Sequence, residues 1–271
     1  MRRFELPLLM TCCVLLLTAC IAQQATIKPP KLRGSERIAP VYHLEDSAEV
    51  KRRVQVSDLQ ARAAQRYALG ELDQTQELAL KALKLDPSAV DALSLLAAVH
   101  SARGEAQAAG ERYRRAAEIA PDRGDALNNY GAWLCANGHA AEALVWFDRA
   151  LLAPGYATPA AALANAGGCA LDSGQVERAQ RDLGHALALE PTNAYALASM
   201  ARLEFQHGRY LQARAFNQRR LAAAPADPSV LQLAVKIEDR LGDRVAASRY
   251  QQRLRAEFPQ SVTSNSGEDP Q

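Results

Sequence analysis

The chain has 271 residues, of which 48% are hydrophobic, so it is long enough for one or two domains with a substantial core. Its 32 basic and 30 acidic residues leave a net charge of only +2. So small an imbalance provides neither the basic field that attracts nucleic acid nor an acidic field for cations. The composition excludes disorder along the whole chain and does not favour nucleic acid as a partner.

The N-terminal segment has the pattern of a secretion signal. Arg2 and Arg3 precede an uncharged stretch of 14 residues that runs from Leu6 to Ala19. A membrane-spanning helix needs about 20 apolar residues, so this stretch is too short to cross a bilayer. The pattern therefore predicts a cleaved signal peptide over residues 1–19.

The end of this segment, Leu17-Thr18-Ala19-Cys20, resembles the lipobox of bacterial lipoproteins. The resemblance implies that Cys20 is acylated and becomes the first residue of the mature chain. Family rules for such lipoproteins send a chain with Ile21, and not aspartate, after the cysteine to the outer membrane, facing the periplasm. The alternative is an ordinary secretion signal that happens to end beside a cysteine.

Residues 20–54 contain few large apolar side chains and no sustained period. They include Pro29, Pro30 and Pro40, and they are predicted to form a flexible lipidated tether with a root-mean-square reach of about 30 Å. The polar residues 260–271 are predicted to be a disordered tail.

Between these segments, glycine recurs at a nearly constant interval with a leucine eleven residues before each one. The pairs are Leu59 and Gly70, Leu93 and Gly104, Leu127 and Gly138, Leu163 and Gly174, Leu197 and Gly208, and Leu231 and Gly242. The glycines are separated by 34 residues, with one interval of 36. This period is typical of the tetratricopeptide repeat, in which each unit is a pair of antiparallel helices. It predicts an all-α, right-handed superhelical solenoid of six repeats over residues 55–259.

The markers have physical reasons. A glycine at the end of the first helix tolerates the positive φ of a helix C-terminal turn. Proline stands at the end of each unit, where it prevents the second helix from continuing. Small residues such as Gly131 and Gly167 recur four positions after the leucine, where they let the two helices approach closely.

Two irregularities interrupt the pattern. The interval of 36 places an insertion near Tyr156-Ala157-Thr158-Pro159, which predicts a break between the third and fourth repeats. The last two second helices carry Asn217, Arg220, Gln251 and Arg255 at positions that are apolar in earlier repeats. These four residues are predicted to form a solvent-facing polar cap.

Two cysteines remain free after processing, because the others leave with the signal or carry the lipid. Cys135 and Cys169 lie in adjacent repeats, so a disulfide between them is compatible with an oxidising compartment. Each also falls within an apolar helical pattern, which favours two buried thiols. The sequence leaves this question open.

The sequence offers no recognisable chemistry. Its five histidines have no metal-ligand spacing, and no phosphate-binding loop or nucleophile elbow is present. We therefore expect no enzyme activity, no cofactor, no metal and no small-molecule substrate.

Function is expected on the inner face of the solenoid, which the first helix of each repeat lines. Several large apolar residues fall there, where a solvated face would be polar, and this predicts a protein or peptide partner. The predicted contacts are Tyr67, Asn128, Leu171, Tyr195, Arg202 and Phe205. Gln60 and Ala64 occupy positions where some such domains carry a carboxylate clamp, so that binding mode is not expected.

The run Leu127-Asn128-Asn129-Tyr130-Gly131, the insertion before the fourth repeat and the lipobox together resemble the PilF/PilW lipoproteins of type IV pilus biogenesis. The resemblance covers residues 56–259. It implies a pilotin, which accompanies the pilus secretin to the outer membrane and promotes its assembly into a ring. Arg62 and Arg66 depart from the pattern at usually apolar positions, which puts a groove in the first repeats in question.

Two other functions remain compatible with the sequence. One is a repeat lipoprotein that serves as an adaptor of another envelope machine, such as β-barrel assembly or peptidoglycan synthesis. The other is a regulator of a periplasmic enzyme, or a periplasmic enzyme with an unrecognised site.

Overall fold

The computed structural model describes residues 47–260, and within this range the chain forms twelve helices in six antiparallel hairpins. The first helices of the hairpins are α1 (Ala48–Ala68), α3 (Val90–Ala102), α5 (Gly124–Ala136), α7 (Pro159–Asp172), α9 (Ala194–Gln206) and α11 (Pro228–Leu241). The second helices are α2 (Leu72–Leu85), α4 (Ala106–Ile119), α6 (Ala140–Leu152), α8 (Val176–Leu189), α10 (Tyr210–Ala223) and α12 (Arg244–Glu257). The predicted all-α solenoid of six helical pairs is confirmed.

The predicted signal peptide, Cys20, most of the tether and the tail from residue 261 lie outside the described residues. The tether boundary needs a correction, because α1 begins at Ala48 and residues 48–54 are helical. Ser47 starts the helix by accepting a hydrogen bond from the Val50 amide at 3.2 Å. No glycine or proline interrupts the sequence from there to Ala68, so the helix extends beyond the repeat unit.

Each hairpin turns at its predicted glycine. The six repeat glycines have φ between 71° and 84°, a left-handed conformation that costs other residues about 1–2 kcal/mol. In the first hairpin the Gly70 amide donates to the Tyr67 carbonyl at 2.9 Å, and the Glu71 amide donates to the Arg66 carbonyl at 3.0 Å. These bonds satisfy carbonyls at the end of α1 and reverse the chain toward α2.

The small residues lie where the two helices of a hairpin touch, as predicted. A Cβ added at Gly131 would lie 2.9 Å from the ring of Phe147, and one at Gly167 would lie 2.6 Å from Leu183 Cγ. Phe147 and Leu183 are both fully buried. Each large side chain therefore occupies the space that a missing side chain on the facing helix leaves.

The insertion, where the sequence predicts a break in the regular superhelix, does not divide the core. Gly155 turns the chain with φ 66°, and the ring of Tyr156 lies against Gly124, where a Cβ would stand 2.4 Å from it. Tyr156 joins a hydrophobic cluster that extends from Ala117 to Leu203. The two extra residues thus supply a side chain that seals the junction.

The N-terminal part of the core forms further clusters. Hairpin one and α3 enclose a cluster that extends from Val56 to Leu96. A small cluster of Leu93, Ala116 and Ala126 lies between it and the larger one.

The predicted polar cap is half right. Gln251 and Arg255 are exposed on α12, but Asn217 and Arg220 are buried, with exposed fractions of 2% and 8%. The reason is that α11 packs directly against α10 and covers it. Of the four predicted residues, only the two on α12 face water.

Cys135 on α5 and Cys169 on α7 form a disulfide, with 5.8 Å between their Cα atoms. The sequence left open whether these cysteines are buried thiols or a disulfide, and the structure has the disulfide. Since consecutive first helices lie side by side, residues one repeat apart come within bridging distance. The disulfide joins hairpins three and four on the inner side of the solenoid.

We predict that Gly167→Ala lowers the free energy of unfolding by about 1–3 kcal/mol, because its methyl group would collide with Leu183. The matched control is Gly184→Ala on α8, where a Cβ would meet nothing within 4 Å. That control should be stabilising by about 0.5–1 kcal/mol, because alanine is the better helix former. Urea unfolding followed by circular dichroism measures both, and equal effects of the two variants would contradict the packing described.

We predict that reduction of the disulfide lowers the free energy of unfolding by about 3–4 kcal/mol, the chain-entropy estimate for a loop of this length. The measurement is urea unfolding with and without dithiothreitol. The double variant Cys135→Ser, Cys169→Ser is the control and should not respond to the reductant. An equal response of wild type and control would show that the bond does not form.

Candidate functional site

The first helices of successive hairpins lie side by side and form one face of the solenoid. Two grooves open on this face. The C-terminal groove, of about 700 Å³, lies between hairpins five and six and is lined by Tyr195, Ser199, Arg202, Phe205, Asn217 and Lys236 among others. The N-terminal groove, of about 640 Å³, is lined by residues of hairpins one to three that include Gln60, Ala64, Tyr67, Asp91, Tyr113 and Asp125.

Four of the six predicted contact residues line these grooves. Tyr195, Arg202 and Phe205 come together in the C-terminal groove, since all three lie on α9. Tyr67 lies in the N-terminal groove with its ring partly exposed. The expectation that this face presents large side chains holds at both ends of the solenoid.

The other two predicted contacts are buried, which corrects their assignment. Leu171 is only 6% exposed and belongs to the large core cluster. Asn128 is 8% exposed and accepts a hydrogen bond from Asn165 Nδ2 at 3.0 Å. Asn128 therefore links α5 to α7, and its side chain serves the junction between two repeats instead of a partner.

Tyr195 forms one end of the C-terminal groove. Its side chain is 49% exposed, while its hydroxyl lies over Gly168, where a Cβ would stand 2.4 Å from Oη. Burial raises the pKa of the Tyr195 hydroxyl, and the charge of Asp172 adds to this increase. The tyrosine is thus held at its tip and exposes part of its ring to the groove.

Phe205 forms the other end. Its ring centroid lies 5.5 Å from that of Tyr210, and the Arg240 guanidinium lies 5.8 Å from the Phe205 ring centre. These contacts hold the half-buried ring in place beside the groove.

Arg202 lies between the two rings on α9 and pairs with Asp172 of the preceding hairpin at 2.8 Å. This ion pair leaves the guanidinium charge largely balanced. Lys236 stands 34 residues after Arg202, at the same position of the next repeat, and its side chain is exposed.

Arg220 holds the floor of the groove through the loop between α10 and α11. It donates to the carbonyls of Ala224 and Pro225 at 3.1 and 3.0 Å, and to Asp227 Oδ2 at 3.0 Å. Asp227 also accepts from Ser229 Oγ and the Val230 amide. Burial alone would raise the pKa of Asp227, but these hydrogen bonds and the Arg220 charge together lower it.

Asn217 and Lys236 are the groove residues that sequence reasoning missed. Asn217 lies on a second helix. Because the sequence of its own repeat does not reveal the helix that covers it, its polar side chain was predicted to face solvent. Lys236 shares the repeat position of Arg202, so the period itself could have identified it.

The N-terminal groove has the opposite charge character. Asp91 and Asp125 both pair with Arg123, whose Nη2 lies 2.6 Å from Asp91 Oδ1. Tyr113 is half-buried at the side of this groove. Burial is the main cause that raises the pKa of its hydroxyl, and the neighbouring Tyr67 adds to the increase. Two carboxylates share one guanidinium here, so the groove carries an excess of negative charge.

Within residues 47–260, no three histidine, cysteine, aspartate or glutamate side chains gather as a metal site would require. In the same range, no helix combines the length and the apolar character needed to cross a membrane. The two grooves that hold the predicted contact residues can bind an extended chain by hydrogen bonds, charge and apolar contact.

The fold can now be compared with known proteins. A tetratricopeptide repeat family model matches residues 170–237. The crystal structure of PilW, a widely conserved type IV pilus biogenesis factor, has a TM-score of 0.68 at 29% identity over 76% of this chain and 94% of that chain. PilF of Pseudomonas aeruginosa has a TM-score of 0.67 at 24% identity, over 78% of this chain and 96% of that one.

A tetratricopeptide repeat protein from Thermus thermophilus has a TM-score of 0.57 at 24% identity, covering 69% of this chain and 98% of that one. No curated protein sequence matches the chain. The six hairpins, their turns and the matched repeat define the chain as a tetratricopeptide repeat protein. Within that class its structure is similar to those of PilW and PilF, as the resemblance in its sequence implied.

We predict that Arg220→Met lowers the free energy of unfolding by about 2 kcal/mol, because it removes the hydrogen bonds from the guanidinium to the Ala224 and Pro225 carbonyls and to the Asp227 carboxylate. Methionine keeps a stem of similar volume, so loss of the guanidinium is the main change. Urea unfolding at pH 7 measures the difference. Wild-type stability in this variant would show that the loop does not depend on Arg220.

We also predict that Arg220→Met reduces the loss of stability on acidification. The pKa of Asp227 is lowered in the folded chain, so its carboxylate stabilises the fold above the unfolded pKa of about 3.9. That contribution disappears as the pH falls through the folded pKa. The difference in unfolding free energy between pH 7 and pH 3 should be smaller in Arg220→Met and in Asp227→Asn than in wild type, and an unchanged difference would contradict it.

Proposed function

We propose that this chain is an outer-membrane lipoprotein that acts as a pilotin, binding the pilus secretin and promoting its localisation and assembly. The observation that carries the proposal is the similarity to PilW, which extends over 94% of that chain at 29% identity. The match also covers 76% of this chain, about the share that the six hairpins make up. PilW is a type IV pilus biogenesis factor, and the secretin is the partner that the family resemblance implies.

The disulfide supports export of the chain. Disulfides form and persist in oxidising compartments such as the bacterial periplasm and are rare in the cytosol. The Cys135–Cys169 bond fits that environment, and it agrees with the signal and lipobox read from residues 1–20. The lipid on Cys20 would hold the solenoid at the inner surface of the outer membrane.

The proposal assigns the chain a binding role without catalysis. Its grooves offer aromatic rings, amide groups and paired charges, which are the means of recognising another polypeptide. Partners are therefore expected to be proteins, and the lipid anchor is expected to be the contact with the membrane.

We predict that Cys20→Ser releases the protein from the outer membrane without changing its thermal unfolding, because the hairpins that form the core begin only at Ala48. Two or more acyl chains anchor stably, whereas one chain binds only marginally at about 0.8 kcal/mol per buried methylene. Secretin should then assemble poorly or multimerise in the wrong membrane, and surface pili should decrease. Membrane fractionation and an assay of heat-resistant secretin multimers measure these outcomes.

The matched control is Ile21→Asp, which keeps the acylated cysteine but introduces the residue associated with retention in the inner membrane. It should mislocalise the protein and the multimers although the lipid is present. Normal outer-membrane multimers in Cys20→Ser would show that escorting secretin does not require the lipid. Normal multimers after deletion of the whole gene would refute the pilotin role and favour an adaptor of another envelope machine.

A further inference from the structure

We propose that the C-terminal groove binds an extended peptide segment in which an acidic side chain lies next to an aromatic or aliphatic one. The inference deepens the proposed function, on which it rests for the identity of the protein that supplies the segment. The chemistry of the segment follows from three features of the groove.

The first feature is an amide oxygen without a partner. Asn217 lines the groove, is only 2% exposed, and its Oδ1 accepts no hydrogen bond in the described structure. A buried polar atom without a partner is unfavourable by about 1–3 kcal/mol. An N–H donor would satisfy this oxygen, and the backbone amide of an extended peptide is such a donor once the Asn217 side chain turns toward the groove. A carboxylate or a phosphate could not supply it.

The second feature is an unbalanced positive charge. Arg202 and Arg220 are paired with Asp172 and Asp227, so their charges are already balanced within the fold. Lys236 lines the same groove, is exposed, and forms no ion pair within residues 47–260. A carboxylate on the bound segment would be the counter-charge of Lys236.

The third feature is the spacing of the two rings. Tyr195 and Phe205 are ten residues apart on α9, which is about 15 Å along a helix. An extended peptide advances about 3.3 Å per residue, so four or five residues span this distance. The exposed parts of the rings provide apolar surface for a side chain of the peptide, while Asn217 and Lys236 hold its backbone and its charge.

The N-terminal groove would not accept the same segment. Asp91 and Asp125 line it and share a single arginine, so an acidic side chain there would meet like charge. The two grooves of one solenoid therefore select segments of different charge, and the acidic segment belongs to hairpins five and six.

The test uses the full-length lipidated protein in detergent micelles and a fluorescein-labelled octapeptide, Ser-Ser-Phe-Ser-Asp-Leu-Ser-Ser, with blocked ends. A second peptide has asparagine in place of the aspartate, and a third has lysine. Fluorescence anisotropy should show that wild type binds the aspartate peptide about 5- to 10-fold more tightly than the asparagine peptide at low salt, and the lysine peptide least.

Lys236→Gln should remove the preference for the aspartate peptide. Lys84→Gln is the matched control, because Lys84 is an exposed lysine of α2 that does not line the groove. It should leave the preference intact. A preference that survives Lys236→Gln, or that is lost equally in the control, would overturn the assignment of the acidic side chain.

Asn217→Leu keeps the branched shape of the side chain but removes the acceptor. It should weaken the binding of all three peptides by a similar factor of about five, because the lost hydrogen bond involves the peptide backbone, which all three share. Its thermal unfolding should remain at or above that of wild type, since the unsatisfied oxygen is removed. Unchanged affinities in a folded Asn217→Leu protein would overturn the backbone contact.

Tyr67→Ala separates the two grooves, because Tyr67 lines only the N-terminal one. If Tyr67→Ala no longer binds the aspartate peptide while Lys236→Gln binds it as wild type does, the C-terminal site is refuted. These measurements need no secretin. If the peptides bind selectively but secretin multimers are normal after gene deletion, only the pilotin role is refuted. If the peptides bind without selectivity but secretin multimers are lost after gene deletion, only the assignment of the groove is refuted.

Discussion

The structure depends on the close contact of the two helices within each hairpin. A single hairpin is too small to bury its apolar face, so the stack is stable only if every pair packs tightly and presents a complementary face to the next pair. At Gly131 and Gly167 the contact leaves no room even for a methyl group, and Phe147 and Leu183 occupy the space. The sequence period records this requirement, because small side chains must return at the same place in each repeat.

Polar contacts between repeats then fix how neighbouring hairpins meet. Arg115 donates to the Pro87 carbonyl and Arg219 to the Pro191 carbonyl, so an arginine of a second helix bonds to the turn before its own repeat. The Asn128–Asn165 bond and the disulfide act on the inner side, where first helices adjoin. Since these groups already bond to neighbouring repeats, the side chains that line the grooves are the ones that can contact a partner protein.

The sequence was sufficient for the features that repeat and insufficient for those that depend on a neighbour. The turns at glycine, the helix pairs and the inner position of Tyr195 and Phe205 all follow from local spacing. Asn217 was misplaced because nothing in its own repeat reveals that α11 covers it. The disulfide could not be decided, because apolar periodicity describes a buried thiol and a buried disulfide equally well.

The first described hairpin occupies an end of the stack. Among the described helices, α1 and α2 pack against hairpin two alone, through α3. In a linear stack, opening an end hairpin breaks one interface, whereas opening an inner hairpin breaks two. Amide protons of α1 and α2 can therefore exchange through a local opening that leaves the remaining helices closed. Three hairpins lie between this opening and the groove on α9 and α11.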